Sequence, residues 1–336
     1  MERSCLWGKV IAMMATIRSM PKTSPLALFS GIPRLDRPLT HWRHVRRETR
    51  RLTQTLKQGR RPVVIYSHPK TASTSVTAAV NGCVDCDAFH CHSLRKCHFT
   101  RKFEPHTTPL PSGMQLMSEA TQWPLQRMLV DSDHDIRCIT LVRDPIATQA
   151  SWLFYGLQRW LNSNHAIDST SMTVGQWSDV LDHRFPQSGL YAWWDHEFRA
   201  VTKLDIRDGW FDAQQGFGIQ RHGRMHSLVL SADLDDAAKR AVLQEYLQCD
   251  VPVIARSNRS SDRAGEISYR RAKQAVALHE ALCQSMLNHE LAQVLYTQSQ
   301  RQWFEEKWLK IRGTTSERVD GAACIGPSPS DPQSPA

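Results

Sequence analysis

The segment PVVIYSHPKTASTSV, residues 62–76, joins a short apolar run to a polar cluster that begins with a lysine. Residues 62–68 are apolar and rich in β-branched side chains, which is typical of a buried strand in a parallel sheet. The serines and threonines that follow are common at helix starts. The segment therefore predicts a strand, a turn and a helix in that order.

Two further apolar runs, IRCITLVRD at 136–144 and HSLVLSAD at 226–233, predict strands of the same kind. Helical periodicity predicts helices at 72–81, 114–129, 145–163, 187–201, 235–248 and 266–299. Strands separated by helices predict an α/β fold, in which a central parallel sheet is covered by helices on both faces.

The chain divides into three parts by composition. Residues 1–61 form a basic, partly helical extension, in which 34–61 carry ten Lys or Arg and two acids. That stretch fits either a helix packed on the domain edge or a polyanion-binding arm. Residues 62–312 form the α/β domain. Residues 313–336 are rich in Gly, Pro and Ser without periodicity, so we expect them to be disordered.

The charge balance indicates anionic partners. The 336 residues include 42 Lys or Arg and 33 Asp or Glu, a formal charge of +9. Nucleotides, nucleic acids, acidic glycans and acidic lipids are all compatible with this charge.

The nine cysteines are an odd number in a chain too long to need a disulfide framework, which favours a reducing compartment.

The apolar run at 10–17 is shorter than the roughly 20 residues of a spanning helix. It fits a weak signal-peptide core or a soluble segment. We expect a cytoplasmic protein without a membrane span.

The first strand leads into a candidate anion site. Ligands of open parallel sheets lie at the carboxyl ends of strands, where the next helix begins with unpaired N–H groups. There the chain offers Lys70 and the hydroxyls of Thr71, Ser73, Thr74 and Ser75. The spacing is not that of a GxxxxGK[ST] loop, because the lysine precedes the small residues. These residues alone fit an oxyanion site or an ordinary capped helix.

The second strand ends in VRDPIATQAS, residues 142–151. Asp144 suits a helix N-cap and Pro145 the first helical position, so Arg143 lies at the strand's carboxyl end. An arginine there can bind a phosphate through two hydrogen bonds, and Ser151 can donate another. An Arg-Asp pair at a strand end also fits a surface ion pair.

The combined pattern resembles the sulfotransferases that use 3′-phosphoadenosine 5′-phosphosulfate (PAPS). It consists of the lysine-led loop, Arg143, and Ser151 eight positions later. Residues 190–236 and 295–308 resemble a bacterial branch, the capsular polysaccharide synthesis proteins. The resemblance covers about 62–310. It implies a P-loop NTPase-like three-layer sandwich with a central parallel sheet, and transfer of a sulfuryl group to a hydroxyl, with a saccharide or polysaccharide as acceptor.

The resemblance also implies the site. The 5′-phosphosulfate would bind the loop, and the 3′-phosphate would bind Arg143 and Ser151, with 3′-phosphoadenosine 5′-phosphate (PAP) as product. The loop residues are Lys70, Thr71, Ala72, Ser73, Thr74 and Ser75. Lys70 would stabilise charge on the leaving oxygen. Family members often carry glycine at the position of Ala72, where a positive φ would strain alanine. An anionic glycan is one candidate acceptor, and neither nucleic acid nor metal is implied.

The segment FHCHSL, residues 89–94, offers the general base. An imidazole titrates near neutrality, and a His-x-His here resembles the uronyl 2-O-sulfotransferases, whose two histidines serve in acceptor deprotonation. His90 and His92 would point to the same side of an extended segment. A rival interpretation is a zinc site in the Cys/His cluster formed by Cys83, Cys86, His90, Cys91, His92, Cys97 and His98.

Two other functions remain open. One is a P-loop kinase, against which the position of the lysine counts. The other is a non-catalytic, basic polyanion-binding protein whose Cys/His loop is stapled by zinc.

Overall fold

The computed structural model describes residues 46–92, 94, 125, 135–164, 171–184, 189–254 and 266–319. One five-stranded sheet has the order β2-β1-β3-β5-β4. The strands are β1 Arg61–Tyr66, β2 Cys86–Cys91, β3 Ile136–Val142, β4 Phe217–His222 and β5 Met225–Ser231. All neighbouring pairs are parallel except β4 and β5, which form an antiparallel hairpin. The fold is therefore α/β with a mostly parallel central sheet.

Helices flank the strands along the chain. They are α1 at 46–57, α2 Ser73–Asn81, α3 Pro145–Asn164, α4 Val174–Arg184, α5 Gly189–Trp193, α6 Asp236–Leu247, α7 Glu266–Leu278, α8 Glu280–Asn288, α9 Glu290–Leu295 and α10 Gln298–Val319. A π-helical turn, Trp194–Arg199, extends α5. In the described ranges, none of the helices has both the length and the apolar character required to span a membrane.

Each face of the sheet has its own core. Val63 and Ile65 of β1 pack in a cluster with apolar residues of α2 and α6. Val64 and Tyr66, which point the other way, join a larger cluster with residues of α3, α7 and α10. This alternation follows from the two-residue period of a strand. Both faces of the sheet are thus covered, which is compatible with three layers.

Three strands were predicted within two residues at each end, whereas β2 and β4 were missed. β2 has the sequence CDAFHC, whose two cysteines and one histidine belong to the Cys/His cluster that fits a zinc site. β4 is a short edge strand with mainly exposed residues, so it lacks an apolar pattern. The antiparallel β4 is the difference from the expected parallel sheet.

The long helix predicted at 266–299 is wrong, because four helices occupy the region. His279 and His289 leave helical geometry, with ψ of 75° and 143°, although the segment contains neither Gly nor Pro. His289 caps α9 by accepting a hydrogen bond from the Leu291 amide.

The helix predicted at 114–129 lies outside the described residues except for Leu125. Helix α10 ends at Val319, seven residues into the predicted disordered tail.

Candidate functional site

The turn between β1 and α2 has an unusual backbone for a segment without glycine. Lys70 has a φ of 72° and Ala72 a φ of 67°, whereas the intervening Thr71 is not left-handed. Such alternation directs successive N–H groups into one concavity that suits an anion. Each left-handed residue of this kind costs about 1–3 kcal/mol. Ala72 thus adopts the conformation that glycine usually supplies.

Helix α2 begins at this turn without a side-chain cap. Its N-cap residue is Ala72, and its first turn has no acidic residue. Thr74 is exposed and Ser75 is half-buried. The hydroxyl of Thr71, in contrast, is buried and donates to the carbonyl oxygen of His68 at 2.8 Å. The positive end of α2 therefore faces a place where an external anion can act as the cap.

Arg143 lies beside this turn, as the strand order requires. β1 and β3 are parallel neighbours, so their carboxyl ends meet at one edge of the sheet. Nη1 of Arg143 donates to the carbonyl oxygen of Lys70 at 3.2 Å. The hydroxyl of Tyr296 holds the Arg143 backbone by donating to its carbonyl oxygen at 2.7 Å. The two predicted anion contacts are therefore in direct contact with each other.

Aromatic rings connect Lys70 with Ser151. The Lys70 ammonium lies 4.1 Å from the ring centre of Tyr155, a cation–π distance. The rings of Tyr155 and Tyr269 are 5.7 Å apart. The hydroxyls of Tyr269 and Ser151 are hydrogen-bonded at 2.7 Å, and both side chains are buried. This chain of contacts connects the two predicted anion contacts.

Two lysines that the sequence did not single out enlarge the cationic region. Lys273 of α7 lies 5.5 Å from the Tyr269 ring centre. Burial and the charges of Lys307 and Arg143 lower the pKa of Lys273. Lys307 is paired with the Asp144 carboxylate at 2.7 Å. Since Lys273 depends on the packing of α7, no local sequence signal could have indicated it.

Asp144 anchors this region structurally. Its buried carboxylate accepts the Ala147 amide at 3.0 Å, which confirms the predicted N-cap of α3. The same carboxylate accepts from Lys307 at 2.7 Å and from the Trp308 indole at 3.0 Å. The Asp144 amide donates to Asp233, whose carboxyl has a pKa raised by burial. Asp144 thus fixes the end of β3 against α10.

His90 and His92 lie on one side, as expected, with ring centres 4.5 Å apart. The Nε2 atom of His90 is 2.8 Å from the Ser73 hydroxyl. Nδ1 of His92 is 2.8 Å from the Ser67 carbonyl oxygen, so this nitrogen carries the proton and Nε2 holds the lone pair. Burial lowers the pKa of both imidazoles, that of His90 to about 3. Burial thus favours the neutral form of both rings, and the bond to Ser67 gives His92 the tautomer of a proton acceptor.

The π-helical turn supports the segment that carries His92. Buried Glu197 accepts from the Tyr66 hydroxyl at 2.6 Å and from the Leu94 amide at 3.0 Å. The Trp193 indole donates to the His92 carbonyl oxygen at 2.7 Å. Two of these bonds hold the backbone at His92 and Leu94, and the Tyr66 bond fixes the Glu197 carboxylate.

The Cys/His cluster of the rival zinc interpretation is divided by β2. Cys86 begins this strand and His90 lies four residues further on, a separation of about 13 Å at 3.3 Å per residue. Cys97 and His98 lie outside the described residues. Within the described ranges, no group of three or more His, Cys, Asp or Glu side chains could hold a metal ion.

Comparisons with family models, curated proteins and solved structures gave no match for this chain. We therefore infer the function from the geometry of the loop, the cations and the two histidines.

Proposed function

We propose that this protein is a PAPS-dependent sulfotransferase that transfers a sulfuryl group to a hydroxyl of a saccharide, with a P-loop NTPase-like sandwich as its fold. The observation that carries the proposal is the contact of Arg143 with the Lys70 carbonyl at 3.2 Å. It joins the turn before α2 with the cation at the end of β3. Two adjoining anion contacts suit a nucleotide with separate anionic groups at its 5′ and 3′ positions.

The turn fits the 5′-phosphosulfate. The sign of φ alternates from Lys70 to Ala72, and α2 begins without a side-chain cap. Both features offer backbone N–H groups to oxyanions. Ser73, Thr74 and Ser75 add hydroxyls, while Thr71 contributes through its backbone because its hydroxyl proton is engaged with His68.

The 3′-phosphate would bind Arg143, Lys273 and Ser151, whose hydroxyl is bonded to that of Tyr269. Lys273 has a lowered pKa because it is buried near other cations. A dianion placed there would remove that repulsion and stabilise the ammonium form. ATP has no 3′-phosphate, which supports PAPS over a kinase substrate.

Bound PAPS would supply an activated sulfuryl group. The chain would position the acceptor, stabilise the negative charge on the departing oxygen and accept the acceptor's proton. The Lys70 ammonium would stabilise negative charge on the departing oxygen. His92 would accept the acceptor's proton at Nε2, while the Ser67 carbonyl oxygen holds the opposite nitrogen. We infer a cytoplasmic location from the cysteine content.

Thermal unfolding with PAP tests the proposal. PAP should raise the Tm of the unmodified protein, and Lys70→Ala and Arg143→Ala should each abolish most of the increase. Arg221→Ala is the matched control, because this exposed arginine lies on β4 and pairs with Asp135. Transfer of radiolabelled sulfate from PAPS to a glycan panel then identifies the acceptor. An unchanged Tm at saturating PAP would refute the proposal, and a shift only with Mg-ATP would indicate a kinase.

A further inference from the structure

Three cysteines meet at the opposite end of the sheet from the candidate site. Cys86 begins β2, Cys83 lies in the turn before it, and Cys249 follows α6. Sγ of Cys86 lies 3.9 Å from Sγ of Cys249, although 163 residues separate them in sequence. Cys249 also lies near Cys83 and contributes to the raised pKa of that thiol, which donates to the Ala79 carbonyl oxygen. The sulfur of Cys249 is therefore the common neighbour of the other two.

Solvent access distinguishes the three thiols. Cys249 is partly exposed, whereas the other described cysteines are buried. A dissolved thiol reagent would therefore reach Cys249 first. The Cys86 backbone is fixed beside Cys249. The Cys86 carbonyl oxygen accepts a hydrogen bond from Arg60, and Cys86 lies opposite Arg61 of β1 in the sheet.

We propose that Cys249 and Cys86 form a thiol–disulfide site, in which Cys249 reacts first with a low-molecular-weight disulfide such as glutathione disulfide and Cys86 completes the bond. The two sulfurs must approach by about 2 Å to reach disulfide length. The bond would link β2 to the segment after α6. This site is independent of the proposed sulfotransferase activity.

The exchange proceeds in two steps. The Cys249 thiolate attacks one sulfur of glutathione disulfide, the S–S bond breaks, and one glutathione leaves with the proton. The Cys86 thiolate then attacks the Cys249 sulfur, and the second glutathione leaves. The two cysteines lose two electrons and two protons in total, and glutathione disulfide is reduced to two glutathiones.

The second step is expected to be slow. Burial raises the pKa of Cys86 to about 11, with Arg61 and Arg137 partly opposing the effect. Burial also raises the pKa of Cys83 to about 12. Because thiolates are the attacking species, closure of the disulfide should accelerate as the pH rises.

Peptide mapping tests the site in the full chain with Cys5, Cys97 and Cys324 replaced by Ser, since these lie outside the described residues. The protein is incubated with glutathione disulfide and cleaved before aspartate. Asp85 and Asp87 flank Cys86, so this cleavage separates Cys86 from Cys83 and Cys91. We expect a linked Cys86–Cys249 peptide pair that lacks two hydrogen atoms. A Cys83–Cys249 pair, or a stable glutathione adduct at Cys249 alone, would overturn the assignment.

Thermal unfolding provides an independent readout. Oxidation should raise the Tm by about 5 °C, and dithiothreitol should reverse the increase. Cys249→Ser should abolish the increase, while Cys83→Ser should retain it. Loss of the increase in Cys83→Ser with its retention in Cys86→Ser would contradict the proposed pair.

Discussion

The hydroxyl oxygen of Ser73 lies 2.8 Å from Nε2 of His90. Ser73 opens α2 at the candidate anion site, and His90 lies near the end of β2. A serine hydroxyl has one proton, so it cannot donate to an anion and to His90 at once. When Ser73 donates to an anion, His90 must donate its own Nε2 proton to the Ser73 oxygen. Anion binding is thereby coupled to the His90 tautomer.

This coupling predicts non-additive effects on PAP binding. Ser73→Ala and His90→Ala should each weaken binding, and the double variant should be little worse than the more affected single variant. The interaction free energy should be about 1 kcal/mol by calorimetric titration. His222→Ala combined with Ser73→Ala is the control and should be additive, since exposed His222 lies on β4, away from both residues. Additive free energies for Ser73 and His90 would contradict the coupling.

Lys273 should determine recognition of the 3′-phosphate. Lys273→Gln removes a charged donor beside Tyr269, so affinity for PAP should fall about tenfold. Affinity for adenosine 5′-phosphate, which lacks that group, should change less than about twofold. Arg270→Gln on the same helix is the control, because its exposed guanidinium is paired with Glu266 at 3.0 Å. Equal losses for both nucleotides would show that Lys273 does not contact the 3′-phosphate.

His68 should make the protein sensitive to acid. It is buried between Trp152 and Trp193, and burial lowers its pKa to about 3. Below pH 6.5 the unfolded histidine binds a proton that the folded one excludes until about pH 3. The free energy of unfolding therefore decreases as the pH is lowered from 6.5 toward 3. Between pH 6.5 and 4.5 the loss from this residue is about 2 kcal/mol.

Urea denaturation at the two pH values measures this loss, and His68→Phe should reduce it by about 2 kcal/mol relative to the unmodified protein. Replacing exposed His222 with Gln should leave the pH dependence unchanged. The same pH dependence in His68→Phe and the unmodified protein would show that His68 is not the group that titrates on unfolding.

The juxtaposition of Lys70 and Arg143 could be predicted because it depends on local rules. Each residue follows an apolar strand, and parallel strands place their carboxyl ends together. Lys273 and Tyr269 lie within a predicted helix, away from the ends of the predicted strands. Only the packing of α7 brings them to the site. Their roles required the three-dimensional structure.

Glu197 is an intermediate case. It lies three residues after Trp194 and seven after Leu190, at helical spacing in an otherwise apolar stripe. An acidic residue on a buried face indicates a polar partner in the core. The partners themselves, Tyr66 and Leu94, could not be named, because they are more than 100 residues away in sequence.

Ala72→Gly should stabilise the protein by about 1 kcal/mol, because the φ of 67° is strained for alanine and free for glycine. Its side chain is exposed, so little packing is lost. Ala78→Gly is a control with the same chemical change at an exposed position of α2, and should destabilise by about 1 kcal/mol. Urea denaturation should thus give opposite signs, with PAP binding of Ala72→Gly at least as tight as before. Equal destabilisation by both substitutions would mean that the turn before α2 does not hold Ala72 in a left-handed conformation.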